Sequence, residues 1–258
     1  MLLAIDAGNT NVVFGIYKNE KWIHEWRMDT LPAKSEAEYD MFLRSNFLES
    51  GLHLDDLEGI VISSVVPQIN EVITNFASSL IDHEPVFVGP KIFHLLPVKT
   101  KNPYQIGTDL VANAVAGYTL YGQTTVIVDF GTALTMTTVG EDGVIQGASI
   151  APGLKTSIKA LVGNTAQLPE VPLELPDSVL GLDTIHAIQS GVLWGYVSMV
   201  EGMLGRLAKE LDRPHKVVAT GGLSSILHPL HDRFDDVKRH LTLDGLRIIH
   251  GIVRNAKV

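Results

Sequence analysis

Cysteine is absent from this chain of 258 residues, and Lys and Arg are few, at 20 against 29 Asp and Glu. The lack of cysteine excludes disulfides, thiolate nucleophiles and cysteine-based zinc or iron–sulfur sites. The formal net charge is −9, whereas binding to nucleic acid requires clustered Lys and Arg that neutralise phosphates. We therefore expect no nucleic-acid partner.

Long apolar runs are also missing. None approaches the roughly 20 residues that cross a bilayer. The N-terminal residues Met1–Asp6 include no basic residue and reach a charge too early for a signal peptide. We therefore expect a cytoplasmic protein with no membrane partner. Apolar residues make up 45% of the chain, which is ample for a globular core.

Several common catalytic motifs are absent as well. The chain has no P-loop, no G-x-G-x-x-G fingerprint, no H-E-x-x-H zinc motif and no EF-hand loop. Residues 147–151 (GASIA) differ from the G-x-S-x-G nucleophile elbow at the last position, which disfavours a serine hydrolase. The 10 histidines are scattered, without the spacing of a metal site. Any chemistry must therefore come from other residues.

The two halves of the chain begin alike. Apolar residues 2–5 lead into Asp6–Asn9 (DAGN), and apolar residues 125–128 lead into Asp129–Thr132 (DFGT). In each half a second apolar run follows, which predicts a β-hairpin closed by a tight turn. We predict two related α/β domains, residues 1–115 and residues 116–258, that face each other across a central cleft.

Other patterns predict the remaining elements. Apolar residues at helical spacing indicate helices, and β-branched runs indicate buried strands. The predicted helices cover residues 35–51, 69–80, 109–121 and 184–211, the last either continuous or broken near Gly191 or Gly195. The predicted strands include residues 22–28, 59–66 and 85–88, and residues 147–154 are predicted as a small-residue loop before a helix.

The two Asp-x-Gly turns are the features that point to chemistry. A turn of Gly, Asn and Thr exposes backbone N–H groups that can cradle a phosphate. A carboxylate at the end of the preceding strand can hold a hydrated cation beside that phosphate. A plain hairpin turn would use the same residues for turn geometry alone. Two such turns at corresponding positions favour the functional interpretation.

Three segments resemble the phosphate-1, phosphate-2 and adenosine motifs of the sugar-kinase, actin and heat-shock chaperone superfamily: Asp6–Asn11, Asp129–Ala133 and Ala219–Gly222. Within this superfamily the chain resembles the type III pantothenate kinases over residues 1 to about 252. The specific marks are Asn102–Tyr104, Gly107–Asp109, Gly147–Leu154 and Thr184–Gly191. The resemblance implies duplicated ribonuclease-H-like (actin-like ATPase) domains, a homodimer, and phosphorylation of pantothenate by ATP as the first step of coenzyme A synthesis. It also implies Mg²⁺ with ATP and a monovalent cation, K⁺ or NH₄⁺.

The resemblance also implies roles for individual residues. The general base is Asp109, and the monovalent cation binds at Asp129. The ATP-binding positions are Asp6, Ala7, Gly8, Asn9, Thr10, Asn11, Val12, Val13 and Thr132, with Asp6 near the magnesium. The pantothenate-binding positions are Tyr104, Gly107, Thr108, Asp109, Leu110 and Thr184.

One of these positions departs from the family pattern, and another has an alternative role. The family usually reads Gly-x-Asp-Arg where this chain has Gly107–Leu110, and Leu supplies neither the charge nor the donors of Arg. Lys99 and Lys101, in the loop just upstream, are candidates to compensate. Asp109 is also a good N-cap for a helix that begins near Val111, and both roles can hold together.

Two rival functions remain open from the sequence. A non-catalytic nucleotide-binding regulatory protein would have the same fold, and Leu110 keeps that possibility in view. A sugar or acetate kinase fits less well, because the chain is short and matches the pantothenate-site pattern.

Overall fold

The structure is a computed structural model and describes residues 1–165, 167–222 and 227–256. The strands are β1 (Leu2–Ala7), β2 (Asn11–Lys18), β3 (Lys21–Asp29), β4 (Gly59–Ser64), β5 (Val86–Phe87), β6 (Thr125–Phe130), β7 (Ala133–Val139), β8 (Ile145–Pro152), β9 (Lys216–Thr220) and β10 (Asp236–Val237). The α-helices are α1 (Glu36–Glu49), α2 (Asn70–Ser78), α3 (Thr108–Tyr121), α4 (Leu154–Gly163), α5 (Thr184–Gln189), α6 (Gly195–Leu211) and α7 (Leu241–Ala256).

The first compact unit comprises Met1–Thr119 and the residues from Leu241 onward. Its sheet has the order β3-β2-β1-β4-β5, in which β1, β2 and β3 are antiparallel and β4 and β5 run parallel to β1. Apolar side chains of β1 and β2 pack with those of α1 and α2 in one core. Fully buried apolar members such as Phe14 and Leu43 each contribute roughly 1.5–3 kcal/mol by leaving water.

The second unit, Leu120–His240, repeats this topology. Its sheet has the order β10-β9-β6-β7-β8, again with an antiparallel meander and two strands added in parallel to the first. Asp6 and Asp129 occupy the fifth position of β1 and β6 respectively. The duplicated α/β architecture predicted from a few shared residues is therefore confirmed by the strand order.

The C-terminal helix belongs to the first unit, although the sequence-based division placed all of residues 116–258 in the second. Helix α7 packs against β1 and β4. Trp22 Nε1 donates a 2.9 Å hydrogen bond to Asp244, and Thr242 donates one of 2.8 Å to the side-chain oxygen of Asn113. Gly245 lies so close to Ala112 O that a side chain would not fit there. These contacts join residues far apart in sequence, so no local pattern shows them.

Secondary structure differs from the prediction at two further places. Residues 147–152, predicted as a loop, lie in the edge strand β8, because its backbone pairs with β7 despite the low strand propensity of Gly and Ala. The helix predicted over residues 184–211, as either continuous or broken near Gly191 or Gly195, is continuous but includes an unpredicted π-helical turn, Ser190–Trp194, between α5 and α6. No helix of the described ranges has both the length and the apolar character that crossing a membrane requires.

Candidate active site

The first phosphate loop is the turn between β1 and β2. Gly8 N donates to Asn11 O at 3.0 Å, which closes the turn, while the side chains of Asn9 and Thr10 are exposed. Thr30, directly after β3, donates from its N to Thr10 O at 2.9 Å and from its Oγ1 to Gly8 O at 2.6 Å. The turn is therefore stabilised by two hydrogen bonds from Thr30 as well as by its own internal hydrogen bond.

The other predicted ATP-binding positions flank this turn. The side chains of Ala7 and Val12 are fully buried, so these residues can meet a ligand only through their backbone. Val13 is partly buried, and the Asn11 side chain donates a 2.9 Å hydrogen bond to Asp29. Asp6 is partly buried at the end of β1, where a strand end leaves its carboxylate beside the turn.

The predicted base lies in the first turn of α3. The helix begins at Thr108, and Gly107 O accepts from Val111 N at 3.1 Å. Asp109 is thus inside the helix, and the suggestion that it caps a helix beginning near Val111 is wrong. Asp109 Oδ1 accepts a 2.8 Å hydrogen bond from the backbone N of Leu110.

Burial is the main influence on the Asp109 carboxylate. It raises the pKa of Asp109 above its ordinary value, while hydrogen bonds from the backbone of Leu110 and of Asp109 itself act in the opposite direction. A carboxylate with a raised pKa accepts a proton more readily than an exposed one, which suits a general base. Gly107 makes room for this group, since a side chain there would collide with Asp109 Oδ1.

Thr108 links the predicted base to the carboxyl end of β4, next to the predicted first phosphate loop. Its Oγ1 lies 2.9 Å from Ser63 Oγ and accepts from Ser64 N at 3.1 Å, at the end of β4. Ser63 is the register partner of Asp6 in the parallel pair of β1 and β4. The fold therefore brings Asp6 and Asp109 to the same edge of the first sheet, as the shared topology of parallel strands requires.

The remaining predicted pantothenate positions differ in accessibility. Tyr104 is 87% exposed and available to a ligand, whereas Leu110 is 7% exposed. Leu110 therefore offers almost no side-chain surface to a substrate. Lys99 and Lys101, the candidates to replace the missing Arg, are both exposed. In the second unit Thr184 is exposed at the start of α5, whose N-cap Asp183 accepts from His186 N at 2.8 Å.

The second phosphate loop, between β6 and β7, is built like the first. Gly131 N donates to Ala133 O at 3.1 Å within the turn. Thr132 O accepts from Gly153 N at 2.9 Å and from Thr156 Oγ1 at 2.8 Å, both from just after β8. Neither Thr30 nor Thr156 belongs to a motif, and the sequence gives no signal for them.

Asp129 lies against the backbone at the end of β9. Gly221 has φ +90, and a Cβ there would lie 2.8 Å from Asp129 Oδ1 and 2.6 Å from Phe130 O. Only glycine fits at this position, beside the Asp129 carboxylate. Within the described part of the chain, no three His, Asp or Glu residues are grouped closely enough to hold a metal ion.

Comparison with known proteins identifies close relatives. A model of the family described as type III pantothenate kinase matches residues 2–206. The chain is 40% identical over 250 residues to the type III pantothenate kinase of a Geobacillus species, covering 97% of both chains. It is 39% identical over 250 residues to that of Geobacter sulfurreducens, covering 97% of this chain and 98% of the relative.

Solved structures with the same fold are more distant. A Baf family transcriptional activator from Campylobacter jejuni matches with a TM-score of 0.59 and 19% identity, over 99% of this chain and 100% of that one. Component A of the (R)-2-hydroxyglutaryl-CoA dehydratase of Acidaminococcus fermentans matches with a TM-score of 0.56 and 11% identity, over 100% of this chain and 99% of that one. At these identities the matches show the fold alone, and they confirm the predicted actin-like ATPase architecture.

Proposed function

Because the chain belongs to the type III pantothenate kinase family, we propose which of its residues carry out the reaction of that family. The enzyme transfers a phosphoryl group from ATP to the hydroxyl of pantothenate, giving 4'-phosphopantothenate for coenzyme A synthesis. One observation carries the assignment: Asp109, partly buried and with a raised pKa, is tied through Thr108 to the sheet edge where the first phosphate loop begins.

The first loop is proposed to bind phosphates of ATP. Its exposed residues Asn9 and Thr10 offer backbone N–H groups and polar side chains. A Cβ at Gly8 would lie 3.3 Å from Asn11 O, a tight contact. Asp6 would hold Mg²⁺, a cation that binds through carboxylates and substrate phosphates. Bound Mg²⁺ neutralises charge on the phosphates.

Asp109 is proposed to act as the general base. As the pantothenate oxygen attacks the γ-phosphorus, the bond to the bridging oxygen of ADP breaks and Asp109 accepts the hydroxyl proton. The helix N-terminus supports the ionised form that must precede this step. Pantothenate is proposed to contact Tyr104, Thr184 and the segment Gly107–Leu110. Within that segment the Thr108 hydroxyl is hydrogen-bonded to Ser63 of β4, and the Leu110 side chain is buried. The backbone and the Asp109 side chain are therefore proposed to provide the contacts.

In the second unit, Thr132 is proposed to contact the nucleotide and Asp129 to bind K⁺ or NH₄⁺. Large monovalent cations are held well by carbonyl oxygens. Phe130 O is one such group, because both it and Asp129 Oδ1 lie beside Gly221. A single carboxylate with several carbonyls also suits the charge of a monovalent ion better than that of Mg²⁺.

A homodimer is proposed because the second unit exposes large apolar side chains. Leu180 is 77% and Leu182 is 90% exposed, and Val179, Ile185 and Ile150 are exposed as well. Ile150 lies on β8, an edge strand whose outer side has no partner strand within the described sheet. Patches of this kind and open sheet edges are typical of interaction surfaces. The cytoplasmic location stays a prediction from the sequence.

An ADP-release assay tests the proposal. The full chain is incubated with MgATP and pantothenate in Na⁺, K⁺ or NH₄⁺ buffer, and ADP is measured with and without pantothenate. Pantothenate-dependent ADP release, increased by K⁺ or NH₄⁺, is expected. Nucleotide binding without turnover would instead favour the regulatory alternative, which no observation on this chain supports specifically.

A further inference from the structure

Thr30 is a buried residue outside every predicted motif, yet it contacts the first phosphate loop twice. It is 1% exposed and follows β3 directly. Its backbone N donates to Thr10 O at 2.9 Å, which extends the ladder between β2 and β3. Its Oγ1 donates to Gly8 O at 2.6 Å, and this second bond depends on the side chain.

The second unit contains a similar but not equivalent arrangement, because the hydroxyl there binds Thr132 O, which corresponds to Thr10 O and not to Gly8 O. Gly153 follows β8, the counterpart of β3, and its N donates to Thr132 O at 2.9 Å. The hydroxyl of Thr156, in the first turn of α4, donates to the same oxygen at 2.8 Å. A threonine hydroxyl from beyond the third strand thus binds a carbonyl of the phosphate loop in both units. The donor position and the carbonyl that it binds differ between the two units.

We propose that Thr30 and Thr156 are positioning residues that orient the phosphate loops for nucleotide binding, an inference that rests on the proposed function of these loops. In a planar trans peptide, C=O and N–H point in opposite directions. When Thr30 holds the Gly8 carbonyl, it also fixes the direction of the Asn9 N–H. A carbonyl oxygen is thereby kept from turning toward the phosphates, where it would repel them, and a donor is held in its place.

The two hydroxyls are not equivalent. Thr30 is buried and is the side-chain partner of Gly8 O, whereas Thr156 is exposed and shares Thr132 O with Gly153 N. Removing the Thr156 hydroxyl leaves that carbonyl with a backbone donor. We therefore expect Thr30 to matter more than Thr156 for the affinity of ATP.

The test compares Thr30→Val with Thr30→Ser in the full-length protein. Each variant is examined by calorimetric titration with ATP, steady-state kinetics for both substrates and a melting curve. Thr30→Val is expected to raise the Kd and KM for ATP about tenfold, as for a misaligned hydrogen bond to a charged group, with the KM for pantothenate unchanged. Thr30→Ser, which keeps the hydroxyl, is expected to stay near wild type. Thr156→Val should raise the ATP values by only about twofold to threefold.

Thr74→Val is the matched control, because the Thr74 hydroxyl is also partly buried but donates within α2, to Asn70 O at 2.7 Å. An unchanged ATP Kd in Thr30→Val would overturn the proposal. The proposal would also be overturned if Thr30→Val raised the KM for ATP and for pantothenate equally and if Thr30→Val and Thr30→Ser both had lowered melting temperatures. That result would indicate a purely structural role. Thr156→Val changes an exposed residue and should fold normally. It therefore tests the role of Thr156 even if Thr30→Val folds poorly. If wild type binds ATP but fails to phosphorylate pantothenate, the proposed function fails while the ATP titrations still decide this inference.

Discussion

The replacement Asp109→Asn separates the chemical role of this residue from its structural one. Asn keeps the shape of the side chain and an oxygen that can accept the 2.8 Å hydrogen bond from Leu110 N, so the start of α3 is expected to be preserved. The amide cannot accept the hydroxyl proton of pantothenate. Loss of a general base typically lowers the rate about 10²–10⁴-fold, or roughly 3–5 kcal/mol of barrier.

Asp109→Asn is expected to lower activity but to preserve or raise the thermal stability of the protein. Burial raises the pKa of Asp109 above 3.8 in the folded protein. A group with a raised folded pKa binds its proton more tightly in the folded state, so its stabilising contribution is complete below 3.8 and is lost as the pH rises through the folded value. At neutral pH the ionised carboxylate therefore costs stability, and Asp109→Asn should melt at the same temperature as wild type or higher.

The assay combines ADP release, ATP titration and a melting curve at neutral pH. We expect a large fall in kcat, an unchanged Kd for ATP, and no loss of thermal stability. Asp82→Asn, which changes an exposed carboxylate of the same unit, is the control and should leave all three unchanged. Near-normal turnover in Asp109→Asn would refute the assignment of the base. A fall in activity that merely follows a lowered melting temperature would refute the argument from burial.

Four further predictions concern other residues. If Asp129 binds the monovalent cation, Asp129→Asn should remove the activation by K⁺ or NH₄⁺, and equal wild-type rates in Na⁺, K⁺ and NH₄⁺ would contradict the assignment. Leu110 is 7% exposed, so Leu110→Arg should cost about 1–3 kcal/mol of stability in a melting curve without raising kcat/KM. Lys101→Ala should raise the KM for pantothenate if Lys101 compensates for the missing Arg. A higher kcat/KM in Leu110→Arg, together with an unchanged KM in Lys101→Ala, would contradict both expectations. Leu182 is 90% exposed, and Leu182→Asp should shift the protein from dimer toward monomer in sedimentation measurements, whereas an unchanged mass would place the interface elsewhere.

Much of the active-site region was predictable because its signals are local. A strand that ends in Asp-x-Gly and resumes after a tight turn is specified by residues close together in sequence, through side-chain alternation and turn chemistry. The hairpins β1–β2 and β6–β7 therefore agree with the prediction to within two residues at each strand end. The helix that carries Asp109 was also predicted, within one residue of its observed start.

The sequence alone left the environment of that helix undecided. Whether Asp109 caps a helix or lies inside it depends on a shift of two or three residues in the start of the helix, which local patterns do not resolve. The burial of Leu110 depends on which elements cover the start of α3. The contacts of Thr108 with Ser63 and Ser64 depend on where β4 ends in space.

The two hairpins, the repeated Asp-x-Gly turns and the helical periodicities could be read from the sequence, since each arises from neighbours along the chain. The return of α7 to the first sheet, the pairing of Gly147–Pro152 in the edge strand β8 and the hydrogen bond from Thr30 to Gly8 became visible in the folded protein alone. Each of these features joins segments distant in sequence, through backbone pairing or close packing that many residue types allow. The physical reason is that local propensity specifies the shape of a segment, whereas its partner is selected by the burial and hydrogen bonding of the whole fold.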